Sequence, residues 1–320
     1  MSIETYGRVP YIPNKTLRQH KVYDGADDRF RSAARLQQAL FREERAWPIG
    51  RYKTAKGTMR KMGNYLSDAA AAEGANFISA DIARLVRHEV AYREDGALID
   101  QARLQANMLS SHPATFNFFG ALKLDLGLAT KTLRQVAPDL VDEVTGVFFE
   151  HSPARWHPSF TNDGTAFDVL FKCFTPQRES AFIAIELKYS ESMQEPPATM
   201  RPRYDELSRL SGLYKDPEHP ALRLNPLQSL WRENMLAQAM VMNGLYSSGR
   251  FILVAPRHNR QVQDAVKLYR QHLALAPGAV EFDAISFDDL TSCIARAGAT
   301  DLAEALHARY CDFNAVDDLI

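Results

Sequence analysis

Asp168, Glu186 and Lys188 are the residues of this 320-residue chain whose types and spacing suit chemistry. Glu186 and Lys188 flank Leu187, so on a strand of period two they project from one face while Leu187 points to the other. The tripeptide lies on a strand-like run, Ala181–Tyr189, and Asp168 lies on the run before it, Thr165–Phe174. Between the runs, Thr175-Pro176-Gln177-Arg178-Glu179-Ser180 carries turn chemistry. Asp168 and Glu186 are equally far from Gln177, so a symmetric antiparallel hairpin sets them opposite each other, with Cβ atoms roughly 4.5–5.5 Å apart.

Two carboxylates side by side repel, and a fold tolerates them when a cation lies between them, which suits Mg²⁺ or Mn²⁺. Lys188, one pleat further along that face, would then orient a water or contact a phosphate, while the metal polarises a phosphoryl oxygen and acidifies its water. These are the parts that phosphodiester hydrolysis requires. Glu186-Leu187-Lys188 is the only place in the chain where an acid stands two residues before a lysine. The competing reading is a solvated edge hairpin with a cross-strand salt bridge.

The elements that must position these residues read as follows. An apolar stripe within Asp28–Arg45 (Phe30, Ala33, Ala34, Leu36, Ala39, Leu40) predicts a helix ended by Trp47-Pro48, and the first third of the chain reads as mostly helical. Helices are also expected over Asp100–Leu109, before the breaker His112-Pro113, and over Leu122–Val136, the latter opening the core. Strands Val144–Glu150, Thr165–Phe174 and Ala181–Tyr189 follow. A helix over Pro226–Tyr246 comes next, capped by Asn225 with Pro226 in its first turn and Gly249 near its end. Phe251-Ile252-Leu253-Val254 reads as a buried strand beside the hairpin in a mixed sheet. A helix near Gln261–Leu275, a strand near Ala279–Ile285 and helices over Phe287–Ala297 and Asp301–Tyr310 complete the chain.

Further candidates surround the hairpin. Glu150 ends the strand before Asp168 and is either a further oxygen ligand for the metal or a solvated strand end. Gln228 and Arg232 share one helix face by their spacing of four and would touch substrate phosphate, whereas Trp231 reads as core. The excursion Ser190–Leu224, with Arg201 and Arg203 as substrate contacts, would close over bound nucleic acid, or else it is a surface insertion. Asp163 belongs to the turn Asn162-Asp163-Gly164 and reads as structural. Asn117, in aromatic surroundings, reads as satisfying buried backbone groups.

Net charge is −1, so the chain is no polycation. Between Arg29 and Lys61, however, ten basic residues stand against Glu43 and Glu44 alone. Such a run either follows a phosphate backbone or is a solvated face. The 46% apolar and 24% charged fractions are those of a globular chain. Cys173, Cys293 and Cys311 have neither metal-ligand spacing nor an even number, which fits a reducing cytoplasm. No signal-like start at Met1–Tyr6 and no membrane-spanning apolar stretch is expected. The nine histidines form no zinc-like pair, and no serine has a base at nucleophile spacing.

Glu186-Leu187-Lys188 with Asp168 resembles the PD-(D/E)xK nuclease superfamily, Phe167 standing where the motif's name has Pro. Asn76-Phe77-Ile78-Ser79, Leu109-Ser110-Ser111-His112-Pro113, Phe116-Asn117-Phe118-Phe119-Gly120, Phe149-Glu150-His151-Ser152-Pro153 and Ile185-Glu186-Leu187-Lys188-Tyr189, in that order, resemble an uncharacterised bacterial family of restriction-endonuclease-like proteins. Gln228 resembles the glutamine that the exonuclease branch keeps on this helix, with Arg232 where that branch has Tyr. The resemblance implies an α/β fold: a restriction-endonuclease-like α-β-β-β-α-β core over 116–320 with a C-terminal extension, and a mostly helical N-terminal region over 1–115. It implies a Mg²⁺-dependent nuclease acting on DNA in restriction, defence or repair, with Asp168, Glu186 and Lys188 catalytic and Asp168, Glu186 and Glu150 on the metal. An RNA nuclease, or a binding module that keeps the fold without turnover, are the alternatives.

Overall fold

The computed structural model describes residues 7–54, 56–274 and 276–320. Thirteen α-helices and seven strands lie among the described residues. The N-terminal part holds α1 (Asn14–Gln19), α2 (Arg29–Glu44), a hairpin of β1 (Ile49–Lys53) and β2 (Met59–Leu66), then α3 (Asp68–Glu73), α4 (Ala80–Ala91) and α5 (Gln101–Ala106). The core runs α6 (Ser111–Leu124), α7 (Leu126–Val136), β3 (Glu143–His151), β4 (Phe167–Phe174), β5 (Ser180–Leu187), α8 (Pro202–Leu210), α9 (Gln228–Met242) and β6 (Ser248–Ala255). It continues through α10 (Arg260–His272), β7 (Glu281–Ser286), α11 (Phe287–Arg296), α12 (Thr300–Tyr310) and α13 (Asn314–Asp317).

The main sheet has the order β3-β4-β5-β6-β7. The first three strands are antiparallel and the last two join in parallel, so the expected mixed sheet is present. β5 is central and apolar on both faces, as a strand covered on both sides must be. Its Ala181, Ile183, Ile185 and Leu187 join the core beneath the N-terminal helices, while Phe182 and Ala184 join the core beneath α8, α9 and α10. Glu186 has the parity of Phe182 and Ala184, so a carboxylate ends an otherwise apolar row on the α9 side. No helix among the described residues is long and apolar enough to cross a membrane.

Several expectations need correction. The first third, expected to be mostly helical, also holds a hairpin: β1 and β2 pair antiparallel there, with Arg51 opposite Lys61 and Tyr52 opposite Arg60. His112-Pro113 breaks nothing. It occupies the first turn of α6, where the missing amide hydrogen of Pro costs no helical bond, and Ser110 caps that turn. The helix expected over Leu122–Val136 is two helices, parted at Asp125, whose side chain accepts from Leu128 N at 2.9 Å to start α7. Asn225 does not cap α9, which starts at Gln228; its amide instead donates to the Glu195 carbonyl at 2.7 Å. Gly249 lies inside β6 rather than at a helix end, and a Cβ there would fall 2.2 Å from the Phe182 ring. The excursion is not bare loop, since it contains α8 and a short 3₁₀ turn at Pro220–Arg223. Leu275, expected at a helix end, lies outside the described residues, as does Met1–Tyr6.

The division drawn at residue 115 falls inside α6. Residues from both sides of it share one core, from Leu36 and Ile82 to Ile183 and Leu306. Polar groups stitch the same parts together: Asn117 accepts from Ile78 N at 3.0 Å and donates to the Asn76 carbonyl at 3.0 Å and to Tyr310 Oη at 2.7 Å. Buried Arg309 donates to the Asn76 carbonyl at 2.7 Å, and Gln38 donates to Tyr189 Oη at 2.9 Å. The N-terminal helices are therefore tied to the residue that follows Lys188, and Asn117 has the structural role expected of it.

Candidate active site

The hairpin register runs Phe174 opposite Ser180 to Val169 opposite Ile185, and the next step sets Asp168 opposite Glu186. On the other side of β4, Phe149 faces Val169 and His151 faces Phe167, which puts Glu150 abreast of Asp168. The sheet thus lines up Glu150, Asp168 and Glu186 across three neighbouring strands. Glu150 has φ +49°, a left-handed backbone that turns its side chain out of the regular pleat, and its carboxylate meets His112 Nε2 at 2.7 Å. Arg155 secures this kink by donating to the Glu150 carbonyl and to Glu94.

Asp168 and Glu186 have few hydrogen-bond donors for their depth. Asp168 accepts the Leu187 amide at 2.8 Å, and Glu186 accepts the Lys188 ammonium at 2.6 Å. Burial first, and then the charges of Glu186 and Glu150, push the Asp168 carboxyl well above its ordinary range. For Lys188, burial alone would lower the pKa, but Glu186, Glu233, Glu191 and Asp168 outweigh it and hold the group above its ordinary value. Lys188 is therefore a fixed cation. It can orient a water or a phosphate, and it is unsuited to taking a proton.

Sequence reasoning missed Glu233. It lies on α9, is 6% exposed, and its Oε2 has no hydrogen-bond partner. Burial and the Glu186 charge push its carboxyl well above the ordinary range. Nothing in the linear pattern marks it, because only the packing of α9 on the sheet brings residue 233 beside residue 186. Glu191 was also missed. It accepts from Arg103 at 3.2 Å and from Tyr189 N at 2.7 Å, and it stays ionised beside Lys188 despite its burial.

Other candidates are engaged elsewhere. The Gln228 side-chain amide binds the Ala198 peptide group in both directions at 2.7 Å, so it anchors the excursion. Arg232 donates to Thr165 Oγ1 at 2.6 Å and to Asp163 at 3.1 Å. Arg203 donates to the carbonyls of Phe160 at 2.9 Å and Ser159 at 3.1 Å and pairs with Glu206. Arg201 lies over the exposed Trp156 ring at 5.3 Å. Trp231 is fully buried, as expected. In the helical half of the basic run, Arg35 binds Asp27 and Arg42 binds the carbonyls of Gly63 and Trp47. The hairpin half is different: Arg51, Lys53, Lys56, Arg60 and Lys61 are all exposed.

A cleft of about 1330 Å³ joins the hairpin to the centre. Arg51, Tyr52 and Lys53 line it, as do Lys188 and Glu233. Tyr52 stacks on Tyr65 within it, the ring centroids 5.2 Å apart. Among the described residues, no three His, Cys, Asp or Glu side chains are grouped to hold a metal by themselves. A hard cation does not need that. Mg²⁺ keeps several waters and is bound through one or two carboxylates plus substrate phosphate. Asp168, half-buried, and Glu186, buried, are adjacent and short of donors, and they fit such an ion.

A family model of the PD-(D/E)XK nuclease superfamily matches residues 25–312. No curated protein and no solved structure matches the chain. Nucleases of the superfamily typically use divalent metals. The five-stranded mixed sheet flanked by helices is its restriction-endonuclease-like fold. By fold and by the extent of the match, the chain belongs to the PD-(D/E)XK nuclease superfamily.

Proposed function

We propose that the protein is a Mg²⁺-dependent nuclease that hydrolyses phosphodiester bonds in DNA, with Asp168, Glu186 and Lys188 at its catalytic centre. The observation that carries this reading is the pairing of Asp168 and Glu186 across the β4–β5 register, with Lys188 on the same face and lining a cleft that Arg51 and Lys53 also line.

When bound, Mg²⁺ held by Asp168 and Glu186 would polarise the phosphoryl oxygen and acidify a water. Lys188, anchored on Glu186 Oε1, presents a permanent positive charge to the attacking water or to the scissile phosphate. Glu150, held by His112, sets the far end of the carboxylate row and adds negative charge beside Asp168. Arg51 and Lys53 take phosphates along the cleft wall, and the Tyr52–Tyr65 stack offers a ring surface to a base. Gln228 anchors the excursion and Arg203 and Arg232 brace the 159–165 segment, while Gln228 and Arg232 also line the cleft.

Incubation of the purified chain with closed circular DNA, linear DNA and RNA, in Mg²⁺, Mn²⁺ or chelator, tests the proposal. Metal-dependent breakage of DNA that disappears in Asp168→Ala and Glu186→Ala is the expected result. Breakage of RNA alone would reassign the substrate, and no breakage of any polymer by the folded chain would remove the activity.

A further inference from the structure

The β1–β2 hairpin carries a ring surface that regular strand pairing would not make. Tyr52 lies opposite Arg60 and Lys53 opposite Met59, and a regular continuation of that register would set Tyr65 opposite Trp47, five residues from Tyr52 and about 16 Å away. Instead the register shifts between Ile49 and Arg51, leaving β2 with the extra residues of a bulge, and the two rings stack with centroids 5.2 Å apart and planes 23° apart. Bulges of this kind re-aim side chains beside active sites. Gly63 fixes the bulge against the N-terminal helices. Its amide donates to the Lys21 carbonyl at 2.9 Å, its carbonyl accepts from Arg42 at 2.7 Å, and a Cβ there would fall 2.3 Å from the His20 carbonyl oxygen.

The stack is also held in place relative to Lys188. Tyr65 bridges to Asn107, the Asn64 carbonyl accepts from Met108 N at 3.0 Å, and Ser190 Oγ donates to the Leu109 carbonyl at 2.9 Å. These short links tie the hairpin to the chain two residues past Lys188. Both rings line the same cleft as Lys188, together with Met59, which is 55% exposed, and the exposed cations Arg51 and Lys53. Such a wall mixes cations with ring and apolar surface, the composition that holds unpaired bases by stacking and their phosphates by charge. A duplex hides its base faces in its own stack and offers backbone and groove edges, so the rings and Met59 would find no partner on it. The centre is recessed as well, with Glu186 8% exposed. The cleft, at about 1330 Å³, little exceeds the roughly 300–1,000 Å³ that enclose a drug-sized ligand, so it suits a few nucleotides of one strand better than two paired strands.

We propose that the cleft takes single-stranded DNA, with an unpaired base on the Tyr52–Tyr65 pair and the neighbouring phosphates on Arg51 and Lys53. The substrate so named rests on the nuclease reading for the cut but not for the binding. Duplex DNA meets the same cations through its backbone alone and so binds more weakly.

The test is fluorescence anisotropy of the full chain in chelator, where nothing is cut, with one labelled sequence as a DNA single strand, as a blunt DNA duplex and as an RNA single strand. Wild type should bind the DNA single strand about tenfold or more tighter than the duplex. Tyr52→Leu, which keeps an apolar group against Tyr65 and removes the ring, should weaken single-strand binding about fivefold or more and leave duplex binding within about twofold, and Tyr52→Phe should restore it. A duplex bound as tightly as the single strand, or single-strand binding unmoved by Tyr52→Leu, would overturn the proposal, and an RNA strand bound more tightly than the DNA strand would overturn its DNA assignment. If Tyr52→Leu does not fold, Tyr52→Trp should bind the single strand at least as tightly as wild type, and weaker binding would remove the ring's role. Cutting in Mg²⁺ separates the two readings. A chain that prefers the single strand through Tyr52 yet cuts nothing would sink the nuclease reading alone, and one that binds and cuts duplex and single strand equally would sink the single-strand assignment alone.

Discussion

Asp163 and Asp168 are five residues apart, and the fold treats them in opposite ways. Asp163 accepts hydrogen bonds from the Thr161 hydroxyl at 2.6 Å, the Thr165 amide at 2.9 Å, the Thr165 hydroxyl at 2.6 Å and the Tyr204 hydroxyl at 2.5 Å, with Arg232 at 3.1 Å besides. Burial pushes its carboxyl up, but these donors outweigh burial and hold it below the ordinary range. Asp168 accepts the Leu187 amide, and burial with the charges of Glu186 and Glu150 outweighs the nearby Lys188. One carboxylate is fully satisfied and joins a turn to α8 and α9. The other is left in conflict, which the proposed cation would resolve.

The largest expected contrast is in turnover. Asp168→Ala or Glu186→Ala should lower metal-dependent cleavage on the order of 10³-fold or more if each removes a ligand of the proposed charge-stabilising ion. Asp163→Asn should retain cleavage per folded molecule. Initial rates normalised to the folded fraction measure both, and near-normal cleavage by either Ala variant would dismantle the contrast. Lys188→Met should lower turnover while leaving Mn²⁺ affinity within a few-fold, because the ammonium acts on substrate and only indirectly on the metal.

Stability should show the reverse order. Removing Asp163 by Ala leaves Arg232 and three hydroxyls facing a buried gap, at a cost of about 3 kcal/mol. Denaturant melts in chelator would reveal it as a lower midpoint with unchanged slope. A loss under about 1 kcal/mol, within the range of ordinary point substitutions, would mean that water replaces the carboxylate there.

How far the centre was legible from sequence follows from the same physics. The β4–β5 register was readable because it depends on local facts: turn residues around Gln177 and period-two alternation fix which residues face each other. Glu233 was not, because its role comes from the packing of a helix onto a strand nearly fifty residues earlier, and a lone Glu on a helix looks like any solvated acid. Gln228, Arg203 and Arg232 read as free groups in the sequence, whereas each also serves the protein's own peptide groups or Asp163, with Gln228 and Arg232 lining the cleft as well. Charge is visible in a sequence, whereas the partner that neutralises it usually is not. The β1–β2 hairpin was hidden for a different reason. Arg51-Tyr52-Lys53 and Met59-Arg60-Lys61 have no apolar alternation, since the hairpin is exposed where they lie.

A smaller effect separates the two acids by pH. The Asp168 pKa is raised in the folded chain, so from the ordinary carboxylate value of about 3.9 upward the folded state retains a proton that the unfolded chain has released, and stability falls as pH rises through that window. Asp163 is depressed, so its contribution is present above the ordinary value and is lost as pH falls through the folded one. In chelator at pH 8, Asp168→Asn should therefore melt about 2 °C or more above wild type, as expected for ~1 kcal/mol in a chain of this size. That gain should shrink toward pH 4, and saturating Mn²⁺ should reverse it by stabilising wild type alone. A gain that did not vary with pH would point to packing rather than charge.

The finest distinction concerns the hairpin, where exposed cations are divided by position. Arg51 and Lys53 line the cleft that reaches Lys188, while Lys56, Arg60 and Lys61 do not, although all five are exposed. Among the described residues, neither Arg51 nor Lys53 takes part in an ion pair, so each has a charge available for phosphate. Each phosphate contact on duplex DNA contributes roughly 0.9 to the log–log slope of affinity against salt, because neutralising a phosphate releases condensed counterions. In a Glu186→Ala background that does not cut, Arg51→Gln with Lys53→Gln should flatten the slope by about 1.8 for two lost contacts. The triple change Lys56→Gln, Arg60→Gln and Lys61→Gln should leave it within about 0.5, because charges outside the cleft interact with the polymer only through screened solvent. Equal flattening by both sets would make the whole hairpin a diffuse basic surface. Superimposable slopes for all three proteins would take the hairpin's cations out of substrate binding.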